Sequence, residues 1–343
     1  MIKEILQEGF ILKEKGYYKH AIEAFYKALE ADNTSVELLL EIAKCYYLLK
    51  DEERALNYIE QALEKEPTHI ETLKFLKSIF ESKNAFVEAE QTAKNIYCIS
   101  NEKEDLIEIF ELLIKQKRFS EILEYQIEQP QAEIFYYKAY AKLFLNELDE
   151  AENFINQAIS MNVDNKIQFL KSKILYKQNK VYEALEIINN LEIDSSDSEA
   201  LNFAGLVEQY DCNFLKALNY FNQAIKLAPK NHEYYYNYAS TYFKMGDIQN
   251  AKKYYNLAIS LAPDNQNYHF ALANLYYSEK HYKRAMEELN YDFFEARLLK
   301  SIILYDSGYL ALAKKEFDKL VQERPENELI QDYKSRIEEE LRI

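Results

Sequence analysis

Five histidines, three cysteines and a few acidic pairs are the residues of this 343-residue chain whose chemistry extends beyond packing. Metal ligation asks for His, Cys or carboxylates at spacings that converge, as two His one helical turn apart do. His20, His69, His232, His269 and His281 include no such pair and no HExxH. His269 and His281 share one stretch but lack a third ligand, while His20, His69 and His232 fall near expected turns, where a solvated imidazole is ordinary. Cys45, Cys98 and Cys212 are odd in number and far apart, which suits a reducing compartment without a disulfide framework. Cys45 and Cys98 occupy helical positions where small apolar groups pack. General acid–base catalysis needs carboxylates in a secluded pair, whereas Glu52-Glu53 and Glu147 with Asp149-Glu150 stand in polar turns. GxxxxGKS/T, GxGxxG and GxSxG are all missing. The expectation is a protein that is not an enzyme and carries no metal or cofactor.

The formal charge of −16 argues against a nucleic-acid partner, because counterion release needs clustered Lys and Arg. Pairs such as Lys252-Lys253, Lys283-Arg284 and Lys314-Lys315 are isolated and flanked by acids. The acid is uneven. Up to Asn165 there are 19 Lys+Arg against 32 Asp+Glu, and from Lys166 onward 23 against 26. The start "MIKEILQEGFILKEKG" is charged and amphipathic rather than signal-like. No stretch approaches the ~18 uninterrupted apolar residues of a membrane span. A cytoplasmic protein with no membrane insertion is therefore expected.

The elements that would position any site repeat themselves. The segments "ERALNYIEQALEKEP", "LKALNYFNQAIKLAP" and "QNAKKYYNLAISLAP" end at Pro67, Pro229 and Pro263, the last two 34 residues apart. A fixed period of this size marks a stacked repeat array. Within each unit the apolar residues recur at helical spacing in two runs split by a polar turn, so each unit is a helix hairpin. A small residue on the second helix traces ten units: Ala21, Ala55, Ala89, Ile122, Ala151, Ala184, Ala217, Ala251, Ala285 and Ala313, with Ile122 the one substitution.

In the unit 232–265, Tyr235, Tyr238, Ala239 and Tyr242 stand on the first helix with Gly246 at its end, followed by Ala251, Tyr255, Ala258 and Pro263. This pattern resembles the tetratricopeptide repeat (TPR), over nearly the whole chain. Small residues sit where helices cross closely, and Pro stops the second helix. Gly9 and Gly205 fall at the crowded crossing, and Gly16, Gly246 and Gly308 at a helix C-terminus that wants a left-handed residue. Pro67, Pro229, Pro263 and Pro325 end second helices, and Pro130 ends a short fourth unit. The expected fold is all-α, an α-solenoid of about ten TPR-like hairpins. Repeats 1–5 span 1–165, repeats 6–10 span 166–327, and a capping helix over 328–343 buries Ile330, Tyr333, Ile337 and Leu341. The fourth and ninth units run short, each fourth in a group of five, which suggests a duplicated five-repeat block.

The resemblance implies a right-handed superhelix whose first helices line a concave groove. On the first helix of 232–265, Glu233, Tyr236, Asn237, Ser240 and Phe243 lie about a quarter turn from the packing face and point into it. Equivalent positions are Tyr136, Tyr137, Tyr140 and Leu143, then Phe169, Lys173 and Tyr176, then Asn202, Phe203, Leu206 and Gln209, then Phe270, Asn274 and Tyr277. Tyr234 has no assignment. An aromatic groove with interspersed amides suits an extended peptide. Two other origins exist for these rings: AT-rich codons favour Tyr, Lys, Asn and Ile together, and aromatics can pad contacts between neighbouring first helices.

The carboxylate clamp of TPR co-chaperones implies Lys and Asn one turn apart. The corresponding pairs here, Leu6/Phe10, Leu40/Lys44, Lys74/Ser78, Phe169/Lys173, Tyr236/Ser240 and Phe270/Asn274, do not match it. The leading expectation is a non-catalytic scaffold that binds a peptide segment of a partner protein. The alternatives are a regulatory or substrate-recruiting subunit of a separate transferase, such as a glycosyltransferase, and a peptide-sensing regulator. The oligomeric state is open.

Overall fold

Helical apolar spacing, Pro at second-helix ends and polar turns favour helices. The computed structural model describes residues 2–31, 35–126 and 131–341, and every regular element among them is a helix. Pro130 lies outside the described residues.

The chain divides into two compact units, Met1–Ile167 and Gln168–Ile343. The first holds the hairpins α1 (Ile2–Glu14)/α2 (Tyr18–Ala31), α3 (Val36–Leu48)/α4 (Glu52–Lys65) and α5 (Ile70–Ser82)/α6 (Phe86–Ser100). It continues with α7 (Lys103–Lys115)/α8 (Phe119–Glu124) and α9 (Ala132–Phe144)/α10 (Leu148–Met161). The unit boundary falls near the start of α11 (Asn165–Lys177), which pairs with α12 (Val181–Asn190). Then come α13 (Ser198–Tyr210)/α14 (Phe214–Leu227) and α15 (His232–Lys244)/α16 (Ile248–Leu261). The last hairpins are α17 (Gln266–Ser278)/α18 (Tyr282–Glu288) and α19 (Phe294–Asp306)/α20 (Leu310–Glu323), followed by the single helix α21 (Glu328–Glu340).

Local chemistry sets the ends of these helices. Ser35, Asp51, Asp197, Asn231, Asp247, Asn265 and Asn327 cap helices by accepting from backbone N–H groups one to two positions inside the first turn. His69 does the same for α5, its Nδ1 accepting from Thr72 N at 3.3 Å, so it is a cap rather than a solvated turn residue. The acidic pairs read as turn residues lie one step further on. Glu52-Glu53 and Asp149-Glu150 open the first turns of α4 and α10, where the positive end of the helix dipole favours them.

All ten traced small residues, Ile122 included, are fully buried. Where the helices of a hairpin cross, a small residue on the first stands against a large one on the second. Gly9 faces Phe25 and Gly205 faces Phe221, both rings fully buried, while Ala43 shares a cluster with Ile59 and Ala239 with Tyr255. Ile330 and Ile337 of α21 are buried beside Tyr333 and close the last hairpin; Leu341, expected on that face, follows the end of α21 and is exposed. Cys98, expected to pack, is exposed too, because it lies two positions past Ile96, round the helix from the face on which Ala89, Ala93 and Ile96 are buried; Cys45 is buried.

The turn inside every hairpin contains one residue with left-handed backbone. These are Gly16, Lys50, Asn84, Lys117, Asn146, Asn179, Cys212, Gly246, Lys280 and Gly308. An L side chain there costs about 1 kcal/mol or more, and Asn less than most. Cys212→Gly, at an exposed turn with φ 62°, is expected to raise stability by about 0.5–1 kcal/mol after the larger unfolded-state entropy of Gly is counted. A denaturation midpoint unchanged or lowered in Cys212→Gly would contradict the strain argument.

Two second helices stop at half length or less. α8 has 6 residues and α18 has 7, against 14 in α14, α16 and α20. The sequence after α18, Leu289-Asn-Tyr-Asp-Phe293, turns Leu289 inward and starts α19 from Phe293.

Candidate functional site

The residues expected to face a partner fall on first helices in both units, and they separate by how far packing has consumed them. In the second unit α13 and α15 lie side by side, joined by a buried polar strip. Asn237 Nδ2 donates to Asn202 Oδ1 at 2.9 Å, and Gln209 Nε2 donates to Thr241 Oγ1 at 2.7 Å. Lys244 Nζ closes the strip by donating to Gln209 Oε1 at 2.9 Å. Asn202 and Asn237 are each 6 % exposed, so their amides serve each other. Phe203 is buried as well, with Phe169 and Tyr176 set edge-on against it at 5.4 and 5.5 Å. Lys173 lies over Phe169, 4.9 Å from the ring centre, and pairs with Glu199.

Further along, the rings remain half-buried. Tyr236 stacks on Tyr268 at 4.8 Å and leans on Tyr255. Burial raises the Tyr236 hydroxyl, and burial with the nearby Glu233 charge pushes Tyr268 up to about 12, so both remain neutral donors at neutral pH. His232 Nδ1 meets the Tyr268 hydroxyl at 2.6 Å, which removes it from the solvated role. Ser240 hydrogen-bonds the Tyr255 hydroxyl. Phe243, Phe270 and Tyr277 pack partly on the core around Leu272 and Leu275, and Phe270 meets Phe293 edge-on at 5.4 Å. Asn274 Nδ2 donates to the Phe270 carbonyl of its own helix, and Tyr277 donates to Asp306 at 2.6 Å. The side chains left partly open are therefore Tyr236, Ser240, Phe243, Phe270, Asn274 and Tyr277.

Tyr136 and Tyr140 belong to the first unit. Lys166 sits over Tyr136 at 4.6 Å, and Tyr140 packs on Phe144 at 4.7 Å. Neighbouring Tyr137 is buried and donates to Glu111.

One unit of two helices, with a buried small residue or Ile122 on the second and a left-handed residue in the turn, thus recurs ten times among the described residues. Models of the tetratricopeptide repeat match residues 12–79, 132–165 and 232–265. Over these stretches the chain carries tetratricopeptide repeats. It is 25 % identical over 268 residues to a TPR repeat-containing protein of Methanocaldococcus jannaschii, a match that takes in 69 % of this chain but 46 % of that relative, so the chain spans about half the relative's length. The fold is similar to that in the crystal structure of the APC/C hetero-tetramer Cut9–Hcn1, with TM-score 0.59 and 12 % identity over 98 % of this chain and 76 % of that one. Pseudomonas aeruginosa pilF is similar at TM-score 0.50 and 15 % identity, over 60 % of this chain and 97 % of pilF.

A TPR array is a scaffold fold of the kind that serves protein–protein interaction. Two of its histidines have structural partners. Both ring nitrogens of His269 face oxygens, Glu288 Oε2 at 2.6 Å and the Pro263 carbonyl at 2.9 Å, and His281 lies beside Glu279. Among the described residues no group of three or more His, Cys, Asp or Glu is placed to hold a metal ion, and no helix is long and apolar enough to cross a membrane. Sequence reasoning missed Thr241, Tyr268 and Asp306 as partners of the face. Their signal is register: Thr241 stands 32 residues from Gln209, Tyr268 32 from Tyr236 and Asp306 29 from Tyr277, each about one repeat, and so they become neighbours.

Proposed function

We propose that this TPR array is a non-catalytic scaffold that holds a peptide segment of a partner protein against the first helices of its second unit. The observation that carries this reading is the set of half-buried residues on α15 and α17: Tyr236, Phe243, Phe270, Asn274 and Tyr277 are fixed by packing yet keep part of their surface open. Rings held this way offer contact area without losing rotamer freedom on binding, and such anchors cost roughly 1–3 kcal/mol each when truncated. Asn274 has an amide oxygen to offer an extended backbone. Asn202, Phe203 and Asn237 support the face from beneath, and Phe169, Lys173, Tyr136 and Tyr140 are secondary candidates for contact.

The test separates folding from binding. Phe243→Ala with Asn274→Ala removes two open side chains and leaves the buried amide strip intact. Affinity purification with quantitative mass spectrometry is expected to lose the specific partner by tenfold or more, with the melting temperature within about 3 °C of wild type. Recovery of the same partners at undiminished yield would rule out this face.

A further inference from the structure

The early stop of α18 leaves something uncovered. A regular second helix here has 14 residues and α18 has 7, so about 10 Å of helix is missing at 1.5 Å per residue. In its place is a cavity of about 690 Å³ between the end of α18 and the α19/α20 hairpin. That volume is within the range of ligand sites. Its apolar lining comes from Met286, Leu289, Leu304, Leu312 and Leu320, and Leu312 is 54 % exposed.

The charges on its wall are almost all satisfied. Arg297 pairs with Asp292 at 3.2 Å and with both oxygens of Glu323. Lys319 pairs with Glu316 at 2.8 Å. Lys300 is exposed and, among the described residues, has no carboxylate partner. A trough lined by polar and apolar groups alike, standing where a regular second helix would continue and rimmed by one unpaired cation, is complementary to an amphipathic helix with an acid beside its apolar stripe.

We propose that this cavity docks a short acidic amphipathic helix of a partner protein, which takes the place of the missing turns of α18. Leu or Ile at i and i+3 or i+4 would enter between Leu304, Leu312 and Leu320, and a Glu or Asp one turn away would reach Lys300. The site is separate from the α15/α17 face and stands or falls apart from it.

The probe is a displayed library of helix-forming 14-residue peptides, selected on the full chain with the Leu312→Asp variant as counter-selection. Leu312 and Lys300 are exposed, so neither variant threatens the core. Enriched peptides should share the apolar stripe and the adjacent acid. Methyl NMR of the methionines (Met1, Met161, Met245 and Met286) should show movement confined to Met286. Lys300→Glu should weaken binding at least tenfold, and changing the peptide acid to Lys should restore it; the Phe243→Ala/Asn274→Ala variant should bind as wild type. The proposal is overturned if selection yields nothing, if neutral or basic peptides win, or if Met286 stays still. It is also overturned if the chain dimerises in sedimentation and Leu312→Asp abolishes that, since the occupant is then a second copy.

Discussion

Gly205→Ala should destabilise the second unit by about 2 kcal/mol, although it adds a single methyl group. A Cβ at Gly205 would lie 2.6 Å from Cε1 of Phe221 and under 3.0 Å from two more ring atoms. Phe221 is fully buried, so the ring has no free space to retreat into. Overpacking of this kind costs about 1–3 kcal/mol. Ala also favours the helix over Gly by roughly 0.5–1 kcal/mol, so a measured loss understates the clash. One remedy is present elsewhere in the chain: at the same 16-residue separation, Ala43 is matched with Ile59 and Ala139 with Ile155, while Ala239 shares a cluster with Tyr255, whose ring leans on Tyr236. Gly205→Ala with Phe221→Ile should therefore recover at least half of the loss, while Phe221→Ile alone should cost stability through the space left beside glycine. Denaturation midpoints of the four proteins decide it. A Gly205→Ala chain as stable as wild type would show that the crossing is loose.

The same residues explain what could be read from the sequence. Gly, Ala and Pro recur because helices cross closely and must stop, and no other residue types meet those demands as well; the hairpins were legible for that reason. The left-handed turns were legible at Gly16, Gly246 and Gly308 only. Lys50, Lys117, Cys212 and Lys280 adopt the same backbone at a cost that the packed hairpin overrides, and their types give no hint of it. The face was harder still. A helical wheel puts Asn237 about a quarter turn from the packing residues, but that direction serves a neighbouring first helix as well as a partner. Asn202, one repeat away, is what claims it. Tyr234 resisted assignment for a similar reason: it packs backward onto Leu201 and Ala224 of the preceding hairpin, a contact that one repeat viewed alone does not contain.

The short hairpins raise the question of what replaces lost packing, and Glu90 gives the answer for α8. A regular second helix buries three apolar residues, as α4 does with Ala55, Ile59 and Ala62, whereas α8 buries Ile122 alone. Across from it, Glu90 of α6 is 3 % exposed and receives Lys94 at 2.6 Å, Gln116 Nε2 at 2.8 Å and the guanidinium of Arg118. Arg118 also grips Glu121 at the start of α8, so the network ties α6 to the α7–α8 turn. Burial alone would raise the Glu90 carboxyl, but the hydrogen bonds from Lys94 and Gln116 and the charges of Lys94 and Arg118 hold it below its ordinary 4.5. Glu90→Gln keeps the shape and removes the charge. At pH 7 it is expected to cost about 1–3 kcal/mol, less than a fully enclosed pair would, because Lys94 and Arg118 are each about a third exposed and regain water. The sign of the pH dependence follows from the lowered folded value: the ionised carboxylate stabilises the fold above the unfolded pKa of about 4.3, and that stabilisation is lost as pH falls through the folded pKa. The gap between wild type and Glu90→Gln should thus be constant from pH 8 to pH 5 and close below pH 4. A gap that persisted unchanged at pH 3 would mean that the side chain acts through shape, and that the short hairpin is held by something other than this charge.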